Sequence, residues 1–174
     1  MSEGDAAGAL AELDSALQIR LIPVALRARV MYDRAVVLRQ SGELEAAREM
    51  YDALDEMPDL PERFRALVVI DRSTTYLMAG RLEEAIETAS AGLAFPGLDF
   101  ETRAYVLVNR GMAHWQLNHT EEAFADLNTV IDTPGMPRDQ RVKAILTKAE
   151  IYLQLKRYDD VENEVKTADS FDLT

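Results

Sequence analysis

Apolar side chains recur three and four positions apart along nearly the whole chain, the spacing that lines one face of a helix. Val106, Leu107, Met112 and Leu117 fall in one such segment and Ala123, Phe124, Leu127, Val130 and Ile131 in the next. Nowhere does a sustained period of two suggest strands. The pattern predicts an all-α chain with helices near residues 5–20, 24–40, 43–57, 62–79, 82–94, 100–117, 121–132, 138–155 and 158–170. Gly42 and Gly80 can take the positive φ that ends a helix. Thr120, ahead of Glu121 and Glu122, reads as an N-cap. Pro58, Pro96 and Pro134 stop helices, and Pro61 and Pro137 can open the next ones.

The polar breaks are themselves periodic. The stretches "GELEAA" (42–47), "GRLEEA" (80–85), "NHTEEA" (118–123) and "KRYDDV" (156–161) each begin 38 residues after the last. Pro58, Pro96 and Pro134 share that register, as do Arg34, Arg72, Arg110 and Lys148, and Ala35, Ser73, Gly111 and Ala149. A step back from Gly42 lands on "GDAAGA", a partial copy at the start. The expected organisation is one repeat domain over 1–174, with a partial repeat at 4–23 and repeats at about 24–61, 62–99, 100–137 and 138–174. Each copy holds two helices.

These residues resemble the tetratricopeptide repeat family. The pattern asks for a small residue in the first helix, an aromatic three later, an alanine early in the second helix, a larger residue four after it and a closing proline. The second copy supplies Ser73, Tyr76, Ala85, Ala89 and Pro96; the third supplies Gly111, His114, Ala123, Leu127 and Pro134. Three departures stand out: the repeat is 38 residues long, Arg or Lys precedes the small residue, and Ala89 is small. The resemblance implies an α-solenoid of antiparallel helix pairs wound as a right-handed superhelix.

It also implies a concave groove lined by the first helices. Carried onto this chain, the groove columns read Tyr32, Asp33, Val36 and Arg39; Ile70, Asp71, Thr74 and Leu77; Val108, Asn109, Met112 and Trp115; Leu146, Thr147, Glu150 and Leu153. The family's carboxylate clamp uses lysine, arginine and asparagine in columns that here hold Tyr32, Ile70, Val108 and Leu146, which argues against such a clamp. Asp33, Asp71 and Glu150 favour a protein or peptide ligand with basic residues among apolar anchors. The basic column of Arg34, Arg72, Arg110 and Lys148 reads as structural, each paired with acids on the following helix such as Glu45 or Glu83.

Both ends of the array read as uncapped, with Leu10, Leu13 and Leu17 at one and Val161, Val165 and Phe171 at the other. Apolar faces of that kind point either to an excerpt from a longer array or to contact with another copy or partner.

Composition narrows the function classes. A net charge of -12 repels phosphate backbones and anionic lipid, so neither nucleic acid nor a membrane surface is the expected partner. The chain has no cysteine, hence no disulfide or thiolate chemistry, and with no signal-like start the expected location is cytoplasmic. His114 shares its column with Leu38, Tyr76 and Tyr152, a packing position. His119 lies five residues on across a helix end, not at the i, i+4 spacing of a two-histidine metal site. No metal, cofactor, phosphate loop or catalytic pair is expected. The leading expectation is a noncatalytic adaptor binding a segment in the groove. Its alternatives are a chaperone of secreted proteins and a scaffold that self-assembles through its terminal helices.

Overall fold

The computed structural model describes residues 3–58 and 60–170. Among the described residues it holds nine helices and no strand: α1 (Glu3–Leu17), α2 (Val24–Gln40), α3 (Leu44–Asp55), α4 (Glu62–Met78), α5 (Leu82–Leu93), α6 (Phe100–Gln116), α7 (Thr120–Asp132), α8 (Arg138–Gln154) and α9 (Tyr158–Ser170). The fold is an all-α helical repeat of the solenoid class. Only α1 departs by as many as three residues from an expected bound. It stops at Leu17 because Gln18 and Ile19 donate to carbonyls three residues back, Ser15 and Ala16, each at 3.3 Å, which tightens the chain out of the α-helix.

The helices gather into two compact units, Met1–Gly92 and Leu93–Thr174. In the first, Ala35 and Leu38 of α2 meet Tyr51 and Leu54 of α3, and Phe64 and Val68 of α4 close the cluster. In the second, Leu107 and Val108 of α6 meet Leu127 and Val130 of α7, with Ile145 and Ile151 of α8. The small-residue column is what lets paired helices approach. A Cβ on Gly111 would stand 3.3 Å from both the Ala123 carbonyl oxygen and Leu127 Cγ.

Each 38-residue column plays one backbone role, whatever residue fills it. The turn between paired helices needs positive φ at residues 42, 80, 118 and 156. Gly42 (86°) and Gly80 (72°) supply it without strain, whereas Asn118 (62°) and Lys156 (58°) supply it against the steric cost of a Cβ. At the entry to the first helices stand Pro23, Pro61, Asp99 and Pro137. The prolines sit at the N-cap itself with ψ near 140°, their carbonyls accepting the first helical hydrogen bonds. Asp99 caps instead with its side chain, accepting from the Thr102 backbone N–H at 2.8 Å, and that bond holds its carboxyl below the usual carboxylate range. Thr120 is corrected from N-cap to first helical residue. His119 occupies the cap, because the positive-φ turn at Asn118 starts α7 one residue earlier than expected.

A further basic column ties consecutive repeats. Arg65 donates to the carbonyls of Asp55 and Met57 at 3.3 and 3.4 Å, and Arg141 to that of Ile131 at 2.9 Å. Each guanidinium satisfies carbonyls at the C-terminal end of the preceding helix, where the helix dipole also favours a cation.

Candidate functional site

The groove columns inherit their geometry from the first helices, which pack side by side: α2 against α4 in the first unit and α6 against α8 in the second. The two units fill those columns with different chemistry.

In the first unit the columns are occupied by each other. The Tyr32 hydroxyl donates to Asp71 Oδ2, and the Arg39 guanidinium stands 3.6 Å from Asp71 Oδ1. Arg39 also reaches the Met78 sulfur at 3.9 Å. Burial, and then the hydrogen bond to Asp71, push the Tyr32 phenol far above its ordinary range, so it stays a neutral donor. Asp33 is held by Arg29 at 2.8 Å on its own helix. Ile70 and Thr74 are buried, Thr74 donating to the Ile70 carbonyl at 3.1 Å. Val36 and Leu77 are half-buried.

In the second unit the equivalents of Tyr32, Asp71 and Arg39 are Val108, Thr147 and Trp115, so no comparable charged network forms. Val108 is fully buried and Asn109 nearly so. Both belong to the packing of the unit. Met112 and Trp115 of α6 are half-buried against the core. On α8, Leu146 and Leu153 are 53% and 49% exposed and bracket the exposed Glu150. The four- and three-residue steps between them place all three on one stripe of the helix.

The basic column is paired throughout, but not as expected. Arg34 reaches Asp14 at 2.6 Å and Arg72 reaches Asp52 and Asp55 at 3.2 and 3.3 Å, all on preceding helices. Arg110 pairs with Asp126 and Lys148 with Glu164, each at 2.7 Å, on following helices. Glu45 instead holds Arg48 on its own helix. The cause is where each copy places its acid. Sixteen residues after the basic position the four copies hold Met50, Thr88, Asp126 and Glu164; twenty before it they hold Asp14, Asp52, Ser90 and Asn128.

The His114 and His119 rings lie 5.8 Å apart between centroids. Among the described residues no group of three or more His, Asp or Glu side chains is placed to hold a metal ion. His114 Nδ1 is buried with no hydrogen-bond partner, and burial pushes its pKa down. Of the residues expected at the array ends, Leu10 packs on the first core, Leu13, Leu17 and Val161 are half-buried and Val165 is 47% exposed. Phe171 lies outside the described residues. Sequence reasoning missed the α1–α2 connection and the start of α2, where Ile19, Leu21, Val24 and Leu26 are all exposed, Leu21 by 89%. The run "IRLIPV" at 19–24 carried the signal: apolar residues across a helix break, where no helical face exists to bury them.

Paired helices repeated in one register, with a small residue at each crossing, define a helical repeat array. Two Tetratricopeptide repeat family models match, at residues 28–53 and 104–133, each over one helix pair and one in each unit. The chain carries tetratricopeptide repeats, one matched in each unit. No curated protein sequence matches it. Its fold is similar to that of MamA, with 14% identity, a TM-score of 0.72 and coverage of 98% of this chain and 90% of that one. BtubC from P. vanneervenii is similar at 17% identity and a TM-score of 0.69, over 97% of this chain and 71% of that one. A tetratricopeptide repeat protein from Parabacteroides merdae ATCC 43184 is similar at 19% identity and a TM-score of 0.72, over 97% and 60%. At the level the family supports, the chain is a protein–protein interaction scaffold, and proteins of this family are generally noncatalytic. Among the described residues no helix is long and apolar enough to cross a membrane.

Proposed function

We propose that the chain is a noncatalytic adaptor that binds a peptide or protein segment on the first-helix face of its second unit. The observation that carries this reading is the α8 stripe, where two half-exposed leucines flank an exposed carboxylate. Met112 and Trp115 on the neighbouring α6 extend the same chemistry. A fitting ligand offers apolar anchors for Leu146, Leu153, Met112 and Trp115 and a lysine or arginine for Glu150. The first unit contributes less, because Tyr32, Asp71 and Arg39 already satisfy one another, and opening that network exposes charges that a ligand must then re-pair.

Selection from a random peptide display library tests the reading. Wild type should enrich peptides that combine apolar residues with Lys or Arg, and their binding should shift the emission of Trp115, the only tryptophan. Glu150→Lys should select against the basic residue while keeping the apolar anchors. Enrichment of acidic peptides, or a Leu146→Asp, Leu153→Asp variant that still binds the selected peptides as tightly as wild type, sinks it.

A further inference from the structure

The α1–α2 connection and the start of α2 present apolar side chains to water: Ile19, Leu21, Val24 and Leu26 are exposed by 57%, 89%, 49% and 52%. The next copy shows what such a surface takes. Phe64, the counterpart of Leu26, is 6% exposed, its ring edge-on to Tyr32 of α2 with 6.4 Å between centroids. A first helix lies over that column in α4, whereas among the described residues no first helix precedes α2. The column therefore stands open at Leu26.

The cations follow the same register. Arg27 shares its column with Arg65 and Arg141, which donate to carbonyls closing the preceding helix. Met57 supplies one of those carbonyls to Arg65; its counterpart, Ile19, accepts instead from the Ile22 N–H at 3.4 Å in the tight turn after α1. Arg27 is left with no ion pair among the described residues, and so is the exposed Arg20. No acid lies between Ser15 and Tyr32. The acids on either side of that stretch are engaged, Asp14 by Arg34 and Asp33 by Arg29. Asp55 and Glu56, which close α3, belong to the α4 flank of α2, where Arg72 holds Asp55. In a chain of net charge -12, this face is apolar and locally positive.

We propose that the face binds an acidic amphipathic helix of a partner protein, laid over α2 as α2 lies over α4. Its apolar side chains meet Leu21, Val24 and Leu26, and its carboxylates meet Arg20 and Arg27. The range of electrostatics separates this partner from an anionic membrane. At physiological salt an exposed charge is screened beyond about 8 Å, so a single helix senses the two arginines and few of the surrounding acids. A bilayer extends past the patch, meets the net negative charge of the chain and is repelled. This goes beyond the ligand reading above, since it concerns the other unit and a ligand of the opposite charge.

Fluorescence anisotropy of a labelled synthetic peptide tests it on the full chain. The probe has leucines at the three- and four-residue spacing of one helical face and glutamates elsewhere. Wild type should bind it, and a peptide with glutamine in place of every glutamate should bind about tenfold more weakly. Arg20→Glu, Arg27→Glu should raise the dissociation constant for the glutamate peptide about tenfold or more. Arg20→Glu alone, at an exposed position, should raise it less while keeping wild-type melting, which separates lost docking from lost folding. Leu21→Ser should weaken both peptides, and Leu146→Asp, Leu153→Asp neither. Equal affinity for the two peptides, or binding that ignores Arg20→Glu, overturns the proposal. So do binding lost in the Leu146, Leu153 variant, phosphatidylserine vesicles bound in preference to the peptide, and self-association of wild type that Leu21→Ser abolishes. Failure here leaves the selection of basic peptides by the second unit untouched.

Discussion

The two units solve one electrostatic problem in opposite directions. Every copy carries a cation just before its small residue, but in the first unit Arg34 and Arg72 pair backwards to Asp14, Asp52 and Asp55. In the second, Arg110 and Lys148 pair forwards to Asp126 and Glu164. Backward pairs join one repeat to the next; forward pairs lock the two helices of a single repeat. The same division runs through the groove columns. Tyr32, Arg39 and Asp71 bind α2 to α4 across repeats in the first unit, whereas their equivalents in the second leave the face to Trp115, Leu146 and Leu153. A unit whose repeats are tied by polar contacts across its first helices has spent the groups a ligand would need. The unit that locks each repeat internally keeps that face open.

The largest effect that would break this contrast comes from the forward pair. Arg110 and Asp126 meet bidentately at 2.8 and 2.7 Å, with only 9% of the Asp126 side chain exposed. Asp126→Ala leaves a largely buried guanidinium without its carboxylate, and should cost about 3 kcal/mol. Asp14, half exposed, should cost under about 1 kcal/mol on the same change. Urea unfolding followed by Trp115 fluorescence reads the second unit and circular dichroism reads both. Equal costs for the two substitutions would show that the direction of pairing carries no difference in burial.

A gain of function in the ledger of contacts sharpens it further. Arg72 Nε is buried with no hydrogen-bond partner, and Thr88, buried, stands in the column that Asp126 fills in the next copy. Thr88→Asp, a change of little volume, should give Arg72 a forward partner like that of Arg110 and stabilise by about 1 kcal/mol. A loss of about 1 kcal/mol or more in denaturant melts would mean that the crossing in the first unit has no room for the forward geometry.

How far the sequence could be read follows the same line. Helix positions were legible because backbone roles recur every 38 residues, and prolines and positive-φ turns are local signals. Pair direction was legible in principle, since Met50 and Thr88 carry no carboxylate where Asp126 and Glu164 do, but following one helix alone concealed it. Groove accessibility was not legible. Val108 and Leu146 share a column, yet one is fully buried and the other half exposed, because exposure depends on what packs beyond the helix and not on its register. The α1–α2 surface escaped for the converse reason: helical periodicity assigns apolar residues to faces, and residues 18–23 form no helix.

The smallest expected effect concerns the histidine that shares a column with Tyr76 and Tyr152. Burial is the main cause that lowers the His114 pKa, with Arg110 and His119 acting in the same sense and Asp126 and Glu122 opposing. A histidine depressed in the fold binds its proton more readily when unfolded. Its contribution to stability is therefore full above the unfolded pKa of about 6.5 and is lost as pH falls below it. The melting temperature of wild type should drop more between about pH 8 and pH 5.5 than that of His114→Tyr, which cannot take up a proton there. Parallel pH profiles for the two proteins would place His114 in contact with water.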